Sequence, residues 1–144
     1  MTGTIAITGA TGFVGGALLN RLVTTGKLIK ALIRPASAHK QPVDGTTRWI
    51  KGDLEDVASL RQLVRGADVI LHCAGVVRGA TRKQFNRVNV DGVVRLAQAA
   101  SELQPVPRFL LISSLAAREP QLSAHAASKQ QGERALMDSC GNTE

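Results

Sequence analysis

Thr4-Ile5-Ala6-Ile7-Thr8-Gly9-Ala10-Thr11-Gly12-Phe13-Val14-Gly15 is a short apolar run of β character that meets a turn with glycine at every third position. Apolar residues at helical spacing follow at once, at Phe13, Val14, Ala17, Leu18 and Leu22. Strand, glycine turn and helix in that order make a dinucleotide-binding βα unit. The physical reason is close approach. Gly9 and Gly12 carry no Cβ, so the backbone turns tightly and lies against a pyrophosphate, and Gly15 lets the helix pack on its strand. The start of that helix offers unpaired N–H groups and a positive dipole end to the anion. Thr11, Phe13 and Val14 complete the turn as cofactor-binding positions.

Outward from this unit, strand and helix patterns alternate, which predicts an α/β fold with a doubly wound parallel sheet covered on both faces. The pattern predicts strands over 5–8, 28–33, 48–51, 68–73 and 109–112. It predicts helices over 13–25, stopped by Gly26, over 56–65, stopped by Gly66, and over 123–139, capped by Ser123. One long helix is expected over 82–103, ended by Pro105 and Pro107, and residues 35–46 read as a loop or a short broken helix. This succession implies a Rossmann sheet of strand order 3-2-1-4-5 spanning 1–144, with its ligand crevice at the carboxyl ends of strands one and four. Right-handed crossovers put the glycine turn, Arg34, Asp53, Ala74-Gly75 and Ser114 along one rim.

Composition narrows the partners. The chain has 144 residues, enough for one domain with a sizeable core. Its 18 Lys and Arg against 11 Asp and Glu leave a formal charge of +7, but they form no run of five or six, and aromatics are only 3%. Few stacking platforms and no basic block argue against nucleic acid as a partner. No apolar run approaches the ~20 residues of a membrane span, and no leader pattern precedes the first strand, so a cytoplasmic protein is expected. Cys73 and Cys140 are the only cysteines, which makes neither a disulfide framework nor a metal site.

Arg34 ends the second strand, where NAD-binding folds usually carry an acid for the ribose 2′-hydroxyl. An Arg there pairs with a 2′-phosphate, which favours NADP over NAD; the alternative is a surface Arg beside Pro35 with NAD held by main chain. Asp44, ten residues on, is the next acid after that strand.

TGATGFVG at 8–15 resembles the TGxxGxxG fingerprint of the extended short-chain dehydrogenase/reductases, the NAD-dependent epimerase/dehydratase group. The resemblance runs from Thr4 to Glu133. It implies that Asp53 in Gly52-Asp53-Leu54 accepts from the adenine amino group while Leu54 packs the ring, against the alternative that Asp53 caps a helix. His72-Cys73-Ala74-Gly75 is similar to the small-residue segment that passes the cofactor ribose, with no catalytic role for His72. Asn89 in Val88-Asn89-Val90-Asp91-Gly92 resembles the family's Asn that supports a helix distortion and a proton-relaying water. Ser114, closing Phe109-Leu110-Leu111-Ile112-Ser113-Ser114, resembles its catalytic Ser, with Ser113 lining the cofactor.

Ala124-His125-Ala126-Ala127-Ser128-Lys129-Gln130-Gln131-Gly132-Glu133 is similar to the family's YxxSKxxxE, in which Lys binds the ribose and activates Tyr as the proton-transfer group. Ser128, Lys129 and Glu133 match; the Tyr position holds His125, and the chain contains no Tyr. Imidazole is itself a general acid/base with a reference pKa of about 6.5, so His125 either replaces the phenol or marks a binding protein that has lost turnover. The family continues with a sixth strand and a substrate lobe, so this chain reads as its N-terminal part with the fifth strand as a sheet edge. The resemblance further implies a sugar nucleotide or another small hydroxy or keto substrate in the full-length protein. It also implies a homodimer paired through the helices at 82–103 and 123–139.

Overall fold

A computed structural model describes residues 3–42 and 45–141. Asp44 lies outside the described residues. Five strands, β1 (Thr4–Thr8), β2 (Leu28–Ile33), β3 (Thr47–Lys51), β4 (Val69–His72) and β5 (Arg108–Leu111), form one sheet in the order β3-β2-β1-β4-β5. Every pairing is parallel, and Thr8 registers with His72, so β1 and β4 end side by side at the carboxyl edge.

Successive residues of β1 serve opposite faces, as a pleated strand buried on both sides must. Ala6 joins Leu32, Ile50, Ile70, Leu60, Leu63 and Leu96 on one face. Ile5 and Ile7 join Ile29, Ala31 and Leu19 on the other. The covering elements of the first face are α2 (Val57–Val64) and α4 (Asp91–Ser101); α1 (Phe13–Leu22) covers the second. The first helix tightens to a 3₁₀ turn over Val23–Thr25 and stops at Gly26, whose φ of +71° only glycine adopts without strain. Residues 35–40 form a 3₁₀ helix.

The single helix expected over 82–103 is two. The first part, α3 (Arg82–Asn89), and α4 are separated at Val90, where φ −116° and ψ −65° depart from helix. Apolar periodicity runs through both parts, so it is blind to a one-residue break. The break lies where α5 (Ala124–Gly141) crosses: a Cβ on Gly132 would stand 2.2 Å from the Asn89 carbonyl oxygen. Thr81 and Gln84 close a capping box at the start of α3, and the Ser123 hydroxyl accepts from Ala126 N at 3.0 Å at the start of α5.

Candidate functional site

The site begins with what the glycine turn leaves out. Gly9 sits at φ +70°, and a Cβ there would come within 2.6 Å of Ala74 N. A Cβ on Gly15 would reach the Gly9 carbonyl oxygen at 2.0 Å. The β1–α1 turn, the β4 exit and the first turn of α1 are thus in main-chain contact. Gly12 caps α1 with no side-chain hydrogen bond, which leaves the N–H groups of its first turn without a side-chain cap among the described residues. That open N-terminus of a ten-residue helix suits the pyrophosphate of a dinucleotide.

A cleft of about 500 Å³ opens in front of it. Gly9, Thr11, Gly12, Arg34, Asp53, Leu54, Cys73, Ala74 and Gly75 all line this cleft, so these nine cofactor candidates are brought together. Phe13 and Val14, expected as cofactor-binding positions, do not line it: both are exposed, Phe13 by 95%, at the start of α1. Arg34 is exposed where β2 gives way to the 3₁₀ helix.

Asp53 does not cap α2. Asp56 does, its Oδ1 accepting from Ala58 N at 3.1 Å. Asp53 instead folds the approach to the helix, Oδ1 accepting from Glu55 N at 2.7 Å and Asp56 N at 3.0 Å. Its Oδ2 has no hydrogen bond among the described residues.

Sequence reasoning missed Thr8 and the Glu55–Arg87 pair. The Thr8 hydroxyl, fully buried, accepts from Ala74 N at 3.2 Å and lies 2.6 Å from His72 Nδ1, locking the ends of β1 and β4 together. Burial, reinforced by the Lys129 charge, drives the His72 imidazole down to about 3, so it is neutral and structural, as expected for that position. Arg87 reaches from α3 to Glu55, its Nη2 at 2.6 Å from Oε2, and both residues line the cleft. Nothing local in sequence signals a pair separated by 32 residues.

On the β5 side the candidates are held by side-chain bonds. Asn89, buried, uses both amide hydrogens, donating to Val76 O at 3.0 Å and to Ser128 Oγ at 2.9 Å, while its Oδ1 accepts from Val76 N at 2.9 Å. Its amide is therefore a clamp on the β4 exit loop. Ser128 Oγ in turn donates to His125 O at 2.7 Å. Lys129 Nζ donates to Ile112 O at 3.1 Å, and a Cβ on Gly75 would stand 3.6 Å from it. Burial holds the Lys129 ammonium below the usual lysine range, with Glu133 and Cys73 pulling the other way. The Cys73 thiol is pushed up by burial, against the Lys129 charge. Ser113 Oγ donates to Glu133 Oε1. Ser114 Oγ accepts from Ala116 N at 3.2 Å and faces a second, open hollow of about 530 Å³ that it shares with Ser113, Arg118 and Glu133. His125, in the first turn of α5, is half-buried and stacks edge-on against Phe85.

A Rossmann sheet with a glycine-built anion site at the first strand and a lysine-bearing helix after the fifth defines a class: nicotinamide dinucleotide-binding proteins of the short-chain dehydrogenase/reductase type. The family model for the NAD dependent epimerase/dehydratase family matches residues 5–140, and the chain belongs to that family. It is 44% identical over 134 residues to a ceramide reductase of Caulobacter vibrioides, covering 93% of this chain and 42% of that protein. It is 30% identical over 123 residues to a dihydroflavonol 4-reductase of Zea mays, covering 78% of this chain and 34% of that one. Among solved structures, Bordetella bronchiseptica WbmH in complex with NAD+ superimposes with a TM-score of 0.84 at 20% identity, over 96% of this chain and 53% of that chain. The chain thus spans less than half the length of these two curated relatives. No helix among the described residues is long and apolar enough to cross a membrane.

Proposed function

We propose that this chain is the cofactor-binding part of an NADP(H)-dependent reductase that interconverts a ketone and a secondary alcohol on a small, largely apolar molecule. The observation that carries the reading is the Lys129 ammonium, half-buried, anchored on Ile112 O and beside Gly75 at the crevice between β4 and β5. The two named reductases among its relatives support reduction as the direction. Phe13, Val77, Leu115 and Leu122 are all more than 70% exposed on segments at the carboxyl edge of the sheet, which favours an apolar substrate over a sugar nucleotide.

In this reading the α1 N-terminus binds the pyrophosphate, Arg34 pairs with the 2′-phosphate, Asp53 Oδ2 accepts from the adenine amine beside Leu54, and Lys129 holds the nicotinamide ribose. The reduced nicotinamide, when bound, supplies a hydride to the carbonyl carbon. Ser114 donates a hydrogen bond to the substrate oxygen as charge builds on it. An imidazolium at His125 transfers its proton to that oxygen, becomes imidazole, and is reprotonated from solvent. Asn89 holds the Val76 loop and Ser128 in register, a positioning role. Two copies pair through α4 and α5, a state that sedimentation measures directly.

A second reading, a dinucleotide-binding protein without turnover, is favoured by the absence of any Tyr and by His125 in its place. Oxidation of NADPH by the full-length protein, with a long-chain acylated amino ketone and with an aromatic ketone as probes, separates the two. For the reductase, His125→Asn abolishes turnover with NADPH binding retained, and His125→Tyr lowers it. A native chain that binds NADPH without oxidising it, and gains turnover on His125→Tyr, establishes the binding protein instead.

A further inference from the structure

We propose that Phe85 is the positioning residue for His125, and that the loop over 76–81 is pinned in order to seat the Phe85 ring against that imidazole. The inference rests on the reading of His125 as the proton-transfer group. Its starting point is what His125 lacks. A histidine that transfers protons is ordinarily oriented by a hydrogen bond to one ring nitrogen, which also selects its tautomer. Among the described residues neither nitrogen of His125 has a hydrogen-bond partner. Its one ring contact among the described residues is Phe85, with centroids 5.9 Å apart and planes at 64°, an edge-to-face arrangement that is attractive in its own right.

Phe85 is 6% exposed, yet it belongs to neither of the two apolar clusters that hold the sheet. Its burial is therefore local, and the surroundings are built for it. Gly79 passes so close that a Cβ there would lie 3.3 Å from Cε2 and Cζ of the ring. The loop carrying Gly79 is tied at both ends to α3. At one end Gln84 Oε1 accepts from Ala80 N at 2.7 Å and from Thr81 N at 3.3 Å. At the other the Asn89 amide grips Val76 through both its main-chain groups. Phe85 and Asn89 are four residues apart, hence on one face of α3, so the same helix face clamps the loop and presents the ring.

The chemical consequence is specific. A ring-on-ring contact restrains the imidazole without a hydrogen bond to either nitrogen, so their hydrogen-bonding is left to substrate oxygen and to solvent. That is what a ring shorter than a phenol requires if it is to deliver a proton and then recover one. Direction matters because a reacting group displaced by about 1 Å loses about a hundredfold in rate.

The test compares Phe85→Leu, Phe85→Tyr and His125→Asn in the full-length protein, with NADPH and the aromatic ketone as probes. Phe85→Leu is expected to lower kcat about ten- to a hundredfold while leaving the KM for NADPH unchanged. Phe85→Tyr, which keeps the ring, restores turnover. In the NMR spectrum the His125 Hε1 resonance moves in Phe85→Leu, because the ring current is lost, and stays in Phe85→Tyr. If Phe85→Leu keeps native kcat while His125→Asn loses it, or if kcat falls only together with NADPH affinity, the positioning role is overturned and the reductase reading stands. If His125→Asn itself turns over like the native protein, the reading of His125 fails and the proposal fails with it.

Discussion

At the β1–α1 turn one half of the crevice is made from main chain, whereas at α3, β5 and α5 the other half is made from side chains bonded across 13 to 39 residues. The first half works by leaving atoms out: Gly9 and Gly15 exist so that backbone can touch backbone. The second works through side-chain bonds between distant segments, as the Asn89 amide does with Val76 and Ser128. The contrast teaches where each half tolerates change. A turn made of absences fails on any added atom, while a network made of bonds loses function one bond at a time.

The largest effect is expected from Gly15→Ala. Its Cβ meets a backbone oxygen at 2.0 Å, and no flexible side chain can yield, so the turn must open. A loss of about 3 kcal/mol in urea unfolding is expected, together with loss of NADPH binding in a fluorescence titration. A variant that is as stable as the native protein would mean that the two elements are not in the contact described.

Asn89→Ala comes next and probes the other half. It removes three hydrogen bonds and leaves both main-chain groups of Val76 without their partners. About 2–3 kcal/mol of stability is expected to go, with NADPH binding much less affected than in Gly15→Ala. Equal damage to cofactor binding in both variants would erase the division between the halves.

Arg34→Ala touches neither scaffold. It should leave the unfolding midpoint in place and weaken NADPH by about 1.5–3 kcal/mol, tenfold to more than a hundredfold, with NADH unchanged. Isothermal titration with the two cofactors decides it, and equal losses would remove Arg34 from the 2′-phosphate.

The smallest effect is a matter of pH. Lys30 is 6% exposed on β2, and its Nζ donates to Gln62 O at 2.5 Å and Arg65 O at 2.9 Å, at the C-terminal end of α2. Burial, then the charges of Arg48 and Arg65, hold its pKa below the ordinary 10.5. The unfolded chain therefore keeps that proton to higher pH than the folded one. Stability contributed by Lys30 accordingly rises as pH climbs through its lowered pKa toward 10.5. Lys129 titrates in the same direction, also through burial. Urea midpoints between pH 8 and 10.5 should climb less in Lys30→Met than in the native protein; an identical slope would show that Lys30 is not the group titrating.

What was legible in the sequence was whatever depends on spacing along the chain. The strand–glycine–helix unit, the alternation of elements and the order β3-β2-β1-β4-β5 follow from periodicity, glycine positions and the handedness of crossovers, whereas several of the nine cleft-lining candidates, Asp53, Leu54 and Cys73 among them, came from the family resemblance. That His125 stands where a Tyr is expected came from the resemblance of 125–129 to the family's YxxSK, a comparison of short-range spacing. Whatever depends on which distant atoms meet was decided by tertiary structure alone. The break at Val90 lies where α5 brings Gly132 against the Asn89 carbonyl, and no periodicity within 82–103 can register a helix 40 residues on. Likewise, Lys30 in the apolar run Leu28–Ile33 reads as an interruption until packing puts the last carbonyls of α2 over it. Phe85 reads as one more core aromatic until the fold sets its ring against His125. Covalent neighbours settle the elements and their order; contact partners are settled only by packing, because the same short-range pattern fits many long-range neighbours.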